Sequence, residues 1–286
     1  MNLEPLSPSR VDAIHAPLAP AAPLAREGGW SAGITEIRVR WASCEQDGRE
    51  AQRLRYLVFA EEMGARLSPP SGTPAGLDAD SFDPFCDHLM VSSAGENCPD
   101  AGKLIGTYRV LPPQAARRAG GLYIDTEFDL APLSDLREHA LELGRSCVHR
   151  DWRSGAVIMA LWTALLQYML ERQLDTMIGC ASVSLGDGGQ SAASLWSRLQ
   201  HTHLVAPELR VQPRVEWKPT PEKLLDTWQH SCRPASAPPL IKGYLRCGAR
   251  LLGPPALDAA FNTADLPMIL RMCDIAPRYR QHFQRH

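Results

Sequence analysis

A chain of 286 residues, 44% of them apolar, can bury a large hydrophobic core as one large domain or two small ones. Its 30 basic and 32 acidic residues leave a formal charge of -2, which lacks the basic excess of a general nucleic-acid binder, so partners must be read from local patches. Eight cysteines, at 44, 86, 98, 147, 180, 232, 247 and 273, form no C-x-x-C pair and lie near no histidine cluster at zinc spacing; this argues against a structural metal and for a reducing cytoplasm.

Residues 1–33 are rich in Pro and Ala, with repeated Ala-Pro steps and little periodicity, and read as a flexible leader to a folded domain over 34–286. The start has no basic segment followed by an apolar run and a cleavage site, so no secretory signal is expected. Over 34–41, Ile37, Val39 and Trp41 alternate with Arg38 and Arg40, the period of a strand. Residues 50–62 read as a helix with Leu54, Leu57, Val58 and Glu61 on one face. The segment 78–89 then gathers Asp78, Asp80, Asp83, Asp87 and His88 before a strand that begins near Leu89. Such a loop is either a solvated, cap-forming one or a mobile wall that receives a cation. A charged loop over 94–103 leads to 104–111, which predicts an antiparallel hairpin.

Residues 122–128 look extended, and 133–139 form a short helix leading into a strand that contains Glu142. The stretch Glu142-Leu-Gly-Arg145-Ser-Cys147-Val148-His-Arg150-Asp-Trp-Arg153-Ser-Gly155 is the centre of the sequence. It places a carboxylate and an arginine in an apolar strand, then a basic, glycine-containing turn, then the apolar run 156–170, which reads as a buried helix. That helix is shorter than the ~20 residues that cross a bilayer. Its N-terminus exposes unpaired backbone N–H groups, and Arg150 and Arg153 beside them suit a phosphate. A buried strand over 176–185, a helix over 191–203, a Lys/Arg-bearing amphipathic helix over 240–252 and a last strand over 265–272 follow, with no internal repeat. The basic faces, Lys242, Arg246 and Arg250 together with Arg271, Arg278, Arg280 and Arg285, are either solvated surface or a docking surface for an acidic carrier protein or anionic lipid headgroups.

Several motifs together, Arg55-x-x-x-Phe59, Asp78-x-Asp80-x-Phe82-Asp83-x-x-Cys86-Asp87-His88-Leu89, Gly106-Thr-Tyr-Arg109, the Glu142 to Gly155 stretch and Gly179-Cys-Ala-Ser182, give the chain a family likeness. It resembles the ornithine-acyl-carrier-protein N-acyltransferases of bacterial ornithine-lipid synthesis over roughly residues 34–275, and Pro239-Leu-Ile-Lys-Gly-Tyr-Leu-Arg246 and Phe261-Asn-Thr-Ala-Asp265 also match. That family is similar to the GNAT acetyltransferases and to the acyl-homoserine-lactone synthases. The resemblance implies an α/β (α+β) fold, a twisted mixed sheet flanked by helices, whose central parallel strands splay to admit the donor's pantetheine arm. It also implies transfer of a (3-hydroxy)acyl chain from acyl carrier protein to the α-amine of L-ornithine, giving lyso-ornithine lipid. No permanently bound cofactor or metal is expected. The location implied is the cytoplasm, with peripheral contact at the inner face of the membrane.

The usual GNAT pyrophosphate loop is Arg/Gln-x-x-Gly-x-Gly/Ala. Here Arg150-Asp-Trp-Arg153-Ser-Gly155-Ala156 has Arg in place of the first Gly, which suits the single phosphodiester of a carrier protein better than coenzyme A. An acyl-homoserine-lactone synthase would carry a Trp shortly after Phe59, and this chain has none there. Synthesis of a lactone or another N-acyl amino acid, or a non-catalytic role binding acyl carriers or membranes, are the competing readings.

Amide formation from a thioester needs a neutral amine and a donor for the oxyanion, and a free α-amine has a pKa near ~8. Glu142 is the candidate base and otherwise a partner of Arg145. Residues three apart in a regular strand face opposite sides, so both reach one site only if Gly144 forms a bulge. Backbone N–H groups around Cys147 and Val148 are candidates for the oxyanion, while the Cys147 thiol reads as core. Arg55 or Arg109 is the expected partner of the ornithine carboxylate, and Asp80, Asp83 or Asp87 of its side-chain ammonium, with Phe59 lining the site.

Overall fold

The computed structural model describes residues 30–32, 35–94, 100–153, 155–219 and 237–275. Nine strands form one sheet: β1 (Trp30–Ala32), β2 (Thr35–Trp41), β3 (Asp87–Ala94), β4 (Leu104–Leu111), β6 (Ala140–Val148), β7 (Thr176–Ser184), β9 (Arg250–Leu251), β10 (Ala256–Asp258) and β11 (Thr263–Arg271). They run in the order β1-β2-β3-β4-β6-β7-β11-β10, with β9 on the side of β11; β5 (Phe128–Asp129) and β8 (Gln212–Pro213) form a separate small pair. The β1 strand lies inside the stretch read as leader, and the C-terminal Arg278, Arg280 and Arg285 lie outside the described residues.

All neighbours in the large sheet are antiparallel except β6 and β7. Parallel neighbours need a crossover, and α4 (Gly155–Glu171) supplies it. This helix is buried nearly all round, as an uninterrupted apolar run requires. Its Val157, Leu161, Leu165 and Met169 pack on Leu89, Val91, Ile105, Val110 and Leu141, each fully buried Leu contributing about 2 kcal/mol. The helices α5 (Gln190–Thr202) and α6 (Pro239–Cys247) join the same core. On the other face lie α1 (Glu45–Tyr56), whose Leu54 packs with Cys147, and α2 (Pro113–Ala119) with the 3₁₀ turn Tyr123–Thr126. A short α3 (Ser134–Arg137) leads into β6.

Three local expectations change. The first helix begins at Glu45, because Asp47 accepts hydrogen bonds from the backbone N–H and hydroxyl of Ser43. It ends in a π-helical turn, Leu57–Glu62, in which Met63 N–H donates to Val58 O at 3.0 Å. Residues 122–128 curl into the 3₁₀ turn instead of extending, because the carboxylates of Asp125 and Glu142 bind its first N–H groups. The helix expected over 240–252 stops at Cys247, where Gly248 takes the left-handed φ of 104° and the chain turns into β9.

Candidate active site

The sheet opens where β6 and β7 part. They pair from Ala140 with Thr176 to Leu143 with Gly179 and no further, although both strands continue, β6 along β4 and β7 along β11. Gly179 fits there because a Cβ would overlap the Leu143 carbonyl oxygen. Beyond that point lies a cavity of about 60 Å³, bounded by Glu142, Arg145, Arg109, Tyr123, Ser182 and Asp265 among others.

Glu142 and Arg145 reach this cavity together through a break in strand alternation. The β4–β6 register shifts between Thr107 and Arg109, where Arg145 and Ser146 stand between Gly144 and Cys147, the partners of Arg109 and Thr107. Arg145, and not Gly144, takes the left-handed backbone, with φ of 51°. The two side chains are not partners. Glu142, 4% exposed, accepts the backbone N–H groups of Tyr123 and Ile124 at 2.6 Å each. Burial raises its pKa to about 7, against the pull of those two N–H groups and of Arg109.

The aspartate loop is a buried ion network. Arg55, wholly buried, donates from Nε to Asp78 at 2.9 Å and to both oxygens of Asp83 at 2.9 and 2.7 Å, and also to the Asp78 carbonyl. Arg109 donates to both oxygens of Asp80 at 2.7 Å and to Asp83 at 3.2 Å. Burial would raise the pKa of Asp83, but Arg55 and Arg109 outweigh it and hold the carboxyl well below the usual range. His88 stands 3.8 Å from Asp83, its pKa lowered to about 4 by burial and by Arg55. Three arginines thus face Asp78, Asp80 and Asp83, leaving no net negative charge in this cluster for a further cation. Arg145 is the loosest of the three, 3.4 Å from Asp78 and from Asp80 and 3.5 Å from the Tyr123 hydroxyl. Its guanidinium lies between two rings, 4.9 Å from the centre of Tyr123 and 4.8 Å from that of Phe261. Phe59 packs edge-on against Phe261 and shares a small core group with Leu54 and Cys147. Asp87 is elsewhere: it accepts from the Tyr168 hydroxyl of α4 at 2.6 Å, on the opposite face of the sheet.

A second carboxylate group, not anticipated from the sequence, forms the far wall. Ligand atoms of Glu127, Cys180 and Asp265 lie within 4.8 Å of one another. Asp265 accepts from Thr263 at 2.7 Å and is 4% exposed, while one oxygen of Glu127 is buried with no hydrogen-bond partner. Burial first, then the Asp265 charge, raises the pKa of Glu127, and burial raises that of Asp265 against its hydrogen bonds from Thr263 and Ser182, with the Asp258 charge adding to the rise. Such a pair suits a cation, whether an ammonium group or a metal ion.

At the far end of the opening, Val148 and the start of α4 are in place. His149 N–H donates to Ile105 O at 2.8 Å, so alternate β6 residues, Cys147 included, turn their N–H groups to β4 and Val148 turns its own to the gap. The Cys147 thiol is core, its pKa pushed up to about 12 by burial. Arg153 donates from Nε to Val148 O at 3.2 Å and pairs with Glu62 at 2.6 Å. Arg150 lies 3.7 Å from the same Glu62, and both arginines stay exposed beside Gly155 and Ala156.

A mixed sheet whose only parallel neighbours separate at their C-terminal halves, with an arginine-bearing turn and a helix N-terminus at the opening, defines a GNAT-type acyltransferase. Residues 54–163 match the acetyltransferase (GNAT) domain model. The chain is 34% identical over 258 residues to the L-ornithine N(alpha)-acyltransferase of Rhodobacter capsulatus, covering 89% of this chain and 97% of that one. It is 35% identical over 264 residues to the enzyme of the same name from Rhizobium meliloti, covering 87% and 85%. The chain therefore belongs to the L-ornithine N(alpha)-acyltransferase family. FeeM, an N-acyl amino acid synthase from uncultured soil microbes, is similar in outline, with 14% identity, a TM-score of 0.48, and coverage of 84% of this chain and 93% of that one. Among the described residues no helix is long and apolar enough to cross a membrane.

Proposed function

We propose that the protein transfers a 3-hydroxyacyl chain from acyl carrier protein to the α-amine of L-ornithine, giving lyso-ornithine lipid. The observation that carries this reading is the cavity at the β6–β7 opening, which sets an arginine wall against a carboxylate wall. A free diamino acid has charges of both signs to match. Its carboxylate pairs with Arg145, the loosely held guanidinium, in preference to Arg55 and Arg109, whose donors already face aspartates. Its side-chain ammonium goes to Asp265 and Glu127, since the Asp80 and Asp83 carboxylates are neutralised.

The donor's phosphodiester lies at the α4 N-terminus between Arg150 and Arg153, in the place of Glu62, and the thioester arm fills the gap that the strands leave. Glu142, with its pKa near the working pH, takes the proton of the α-ammonium directly or through water. The amine nitrogen then attacks the thioester carbonyl carbon, and the oxyanion accepts the Val148 N–H. When the tetrahedral centre collapses, the C–S bond breaks, the proton that the attacking nitrogen must lose passes to the pantetheine thiolate, and the amide remains. No acyl-enzyme is formed, because the Cys147 thiol is buried and protonated. The proposed setting is the cytoplasm, with Lys242 and Arg246 on the exposed face of α6 available to an acidic carrier protein or to the anionic inner leaflet.

Purified protein incubated with 3-hydroxyacyl-carrier protein and a panel of amines tests the reading by product mass. N-α-acyl-ornithine is expected as the main product, with norvaline, which lacks the second amine, a poor acceptor. Absence of amide with ornithine, or norvaline accepted equally, would overturn it.

A further inference from the structure

Beside the polar cavity lies an apolar one, and Leu143 and Cys180 line both. This second space, with a cavity volume of about 30 Å³, lies among β4, β6, β7, β11, α4 and α6 and reaches the point where β6 and β7 part, at Leu143 and Gly179. Its walls are mostly hydrocarbon, as an acyl chain requires, and their polar side-chain groups are the Cys180 thiol, the Trp162 indole N–H and the Tyr108 and Tyr244 hydroxyls. Trp162, 4% exposed, lines it, and its indole N–H is shielded from solvent with no hydrogen-bond partner among the described residues. Tyr108 and Tyr244 also line it, and their hydroxyls bond to each other. Such a pair uses one O–H as donor and leaves the other hydroxyl's proton without an acceptor. Tyr244 stacks edge-on against Trp162 with ring centres 5.1 Å apart, which gathers the unused donors in one place.

An indole N–H can only donate, and leaving it unpaired inside the protein is costly. The core could have used Phe at 162 at no such cost. A saturated chain offers these donors nothing, whereas a chain that carries an oxygen substituent supplies the missing acceptor. We infer that Trp162, with the Tyr108–Tyr244 hydroxyl pair, is the specificity-determining element for the donor, selecting acyl chains that bear a hydroxyl or oxo oxygen over unsubstituted ones. The inference rests on the acyl-transfer reading and adds to it the groups that recognise the chain. A hydrogen bond available to one chain and denied to another at a buried donor corresponds to a discrimination of about tenfold.

The test compares kcat/KM for carrier proteins loaded with unsubstituted, 3-hydroxy and 3-oxo chains of equal length, for the wild type, Trp162→Phe and the double variant Tyr108→Phe/Tyr244→Phe. The wild type should prefer one or both oxygenated donors by about tenfold, and Trp162→Phe should bring all three to within twofold of one another. The double variant, which removes both hydroxyls, should shrink the preference as well, and it carries the test if Trp162→Phe fails to fold. A change at 162 that acted only through packing, or through a buried water, would lower all three donors alike. That outcome, an unchanged ratio in a folded variant, or a wild type indifferent to the substituent would overturn the inference while leaving ornithine acylation intact. No amide from any donor would sink the acyl-transfer reading and this inference with it.

Discussion

Glu142, the proposed base, owes its raised pKa to burial. A carboxylate shut away from water but held by two backbone N–H groups has its pKa raised to about 7, so near neutral pH it is about half ionised and basic enough to accept a proton. Its pKa is raised, so the ionised form that can accept a proton is lost as pH falls through 7. Because that proton comes from the ornithine α-ammonium, with a pKa near ~8, log kcat/KM should rise with a slope near one below pH 7 and level off between about 7 and 8. In Glu142→Gln the rate should fall by roughly 10²- to 10⁴-fold, and the rise should continue at a slope near one up to the amine's own value near ~8. A variant that still levels off at pH 7, measured over pH 5.5 to 8.5 at about half-unit steps, would remove Glu142 as the base. Residue roles were only partly legible from the sequence. The three-residue spacing of Glu142 and Arg145 demanded a bulge, and one is there, but spacing could not tell which residue would take the left-handed backbone. Nor could it tell that Arg55, Arg109 and Arg145, from three separate elements, converge on the aspartate loop.

At the scale of elements, the opening between β6 and β7 depends on the last contact before it. Gly179 sits against the Leu143 backbone so closely that a Cβ would strike its carbonyl oxygen, and backbone cannot give way as a side chain can. Gly179→Ala should therefore shift the point of separation, destabilise the fold by about 2–4 kcal/mol and abolish acyl transfer even in the fraction that folds. Thermal melting and activity at 10 °C below the variant's own midpoint would check this, and a variant of wild-type stability and rate would mean that the strands are not held apart as described. Strands with clean alternation and the apolar α4 were readable because one face or all faces are buried. The segment around Tyr123 was not, since its 3₁₀ shape is dictated by a carboxylate from β6. Glu127 escaped notice for a related reason: it follows that turn, outside any periodic pattern, and only the return of β11 beside β7 brings Asp265 to it.

The whole molecule holds two opposed groups of acids. Asp47 and Asp83 have carboxyls kept low, by Arg40 and by Arg55 with Arg109 respectively, and their stabilisation is present above the ordinary aspartate value near 3.8 and fades as pH falls below it. Glu142, Glu127 and Asp265 have raised values, so the contribution of their neutral forms is present below the ordinary carboxylate range and is lost as pH rises through their folded values. The unliganded protein should be most stable in mildly acid solution and should weaken toward pH 8.5. Ornithine, whose ammonium compensates the ionised Asp265 and Glu127, should raise the melting temperature more at pH 8.5 than at pH 6, and norvaline should not. Equal shifts with both amino acids at both pH values would remove the carboxylate pair from acceptor binding.

The most direct measurement of the central claim is the structure of the protein with a hydrolysis-resistant acyl-pantetheine arm on its carrier protein and ornithine present. The arm should thread between β6 and β7, its carbonyl oxygen about 3 Å from the Val148 N–H, its phosphodiester at Arg150 and Arg153, and the ornithine amine between Glu142 and the carbonyl carbon. An arm bound elsewhere, with β6 and β7 zipped together beyond Leu143, would contradict the account.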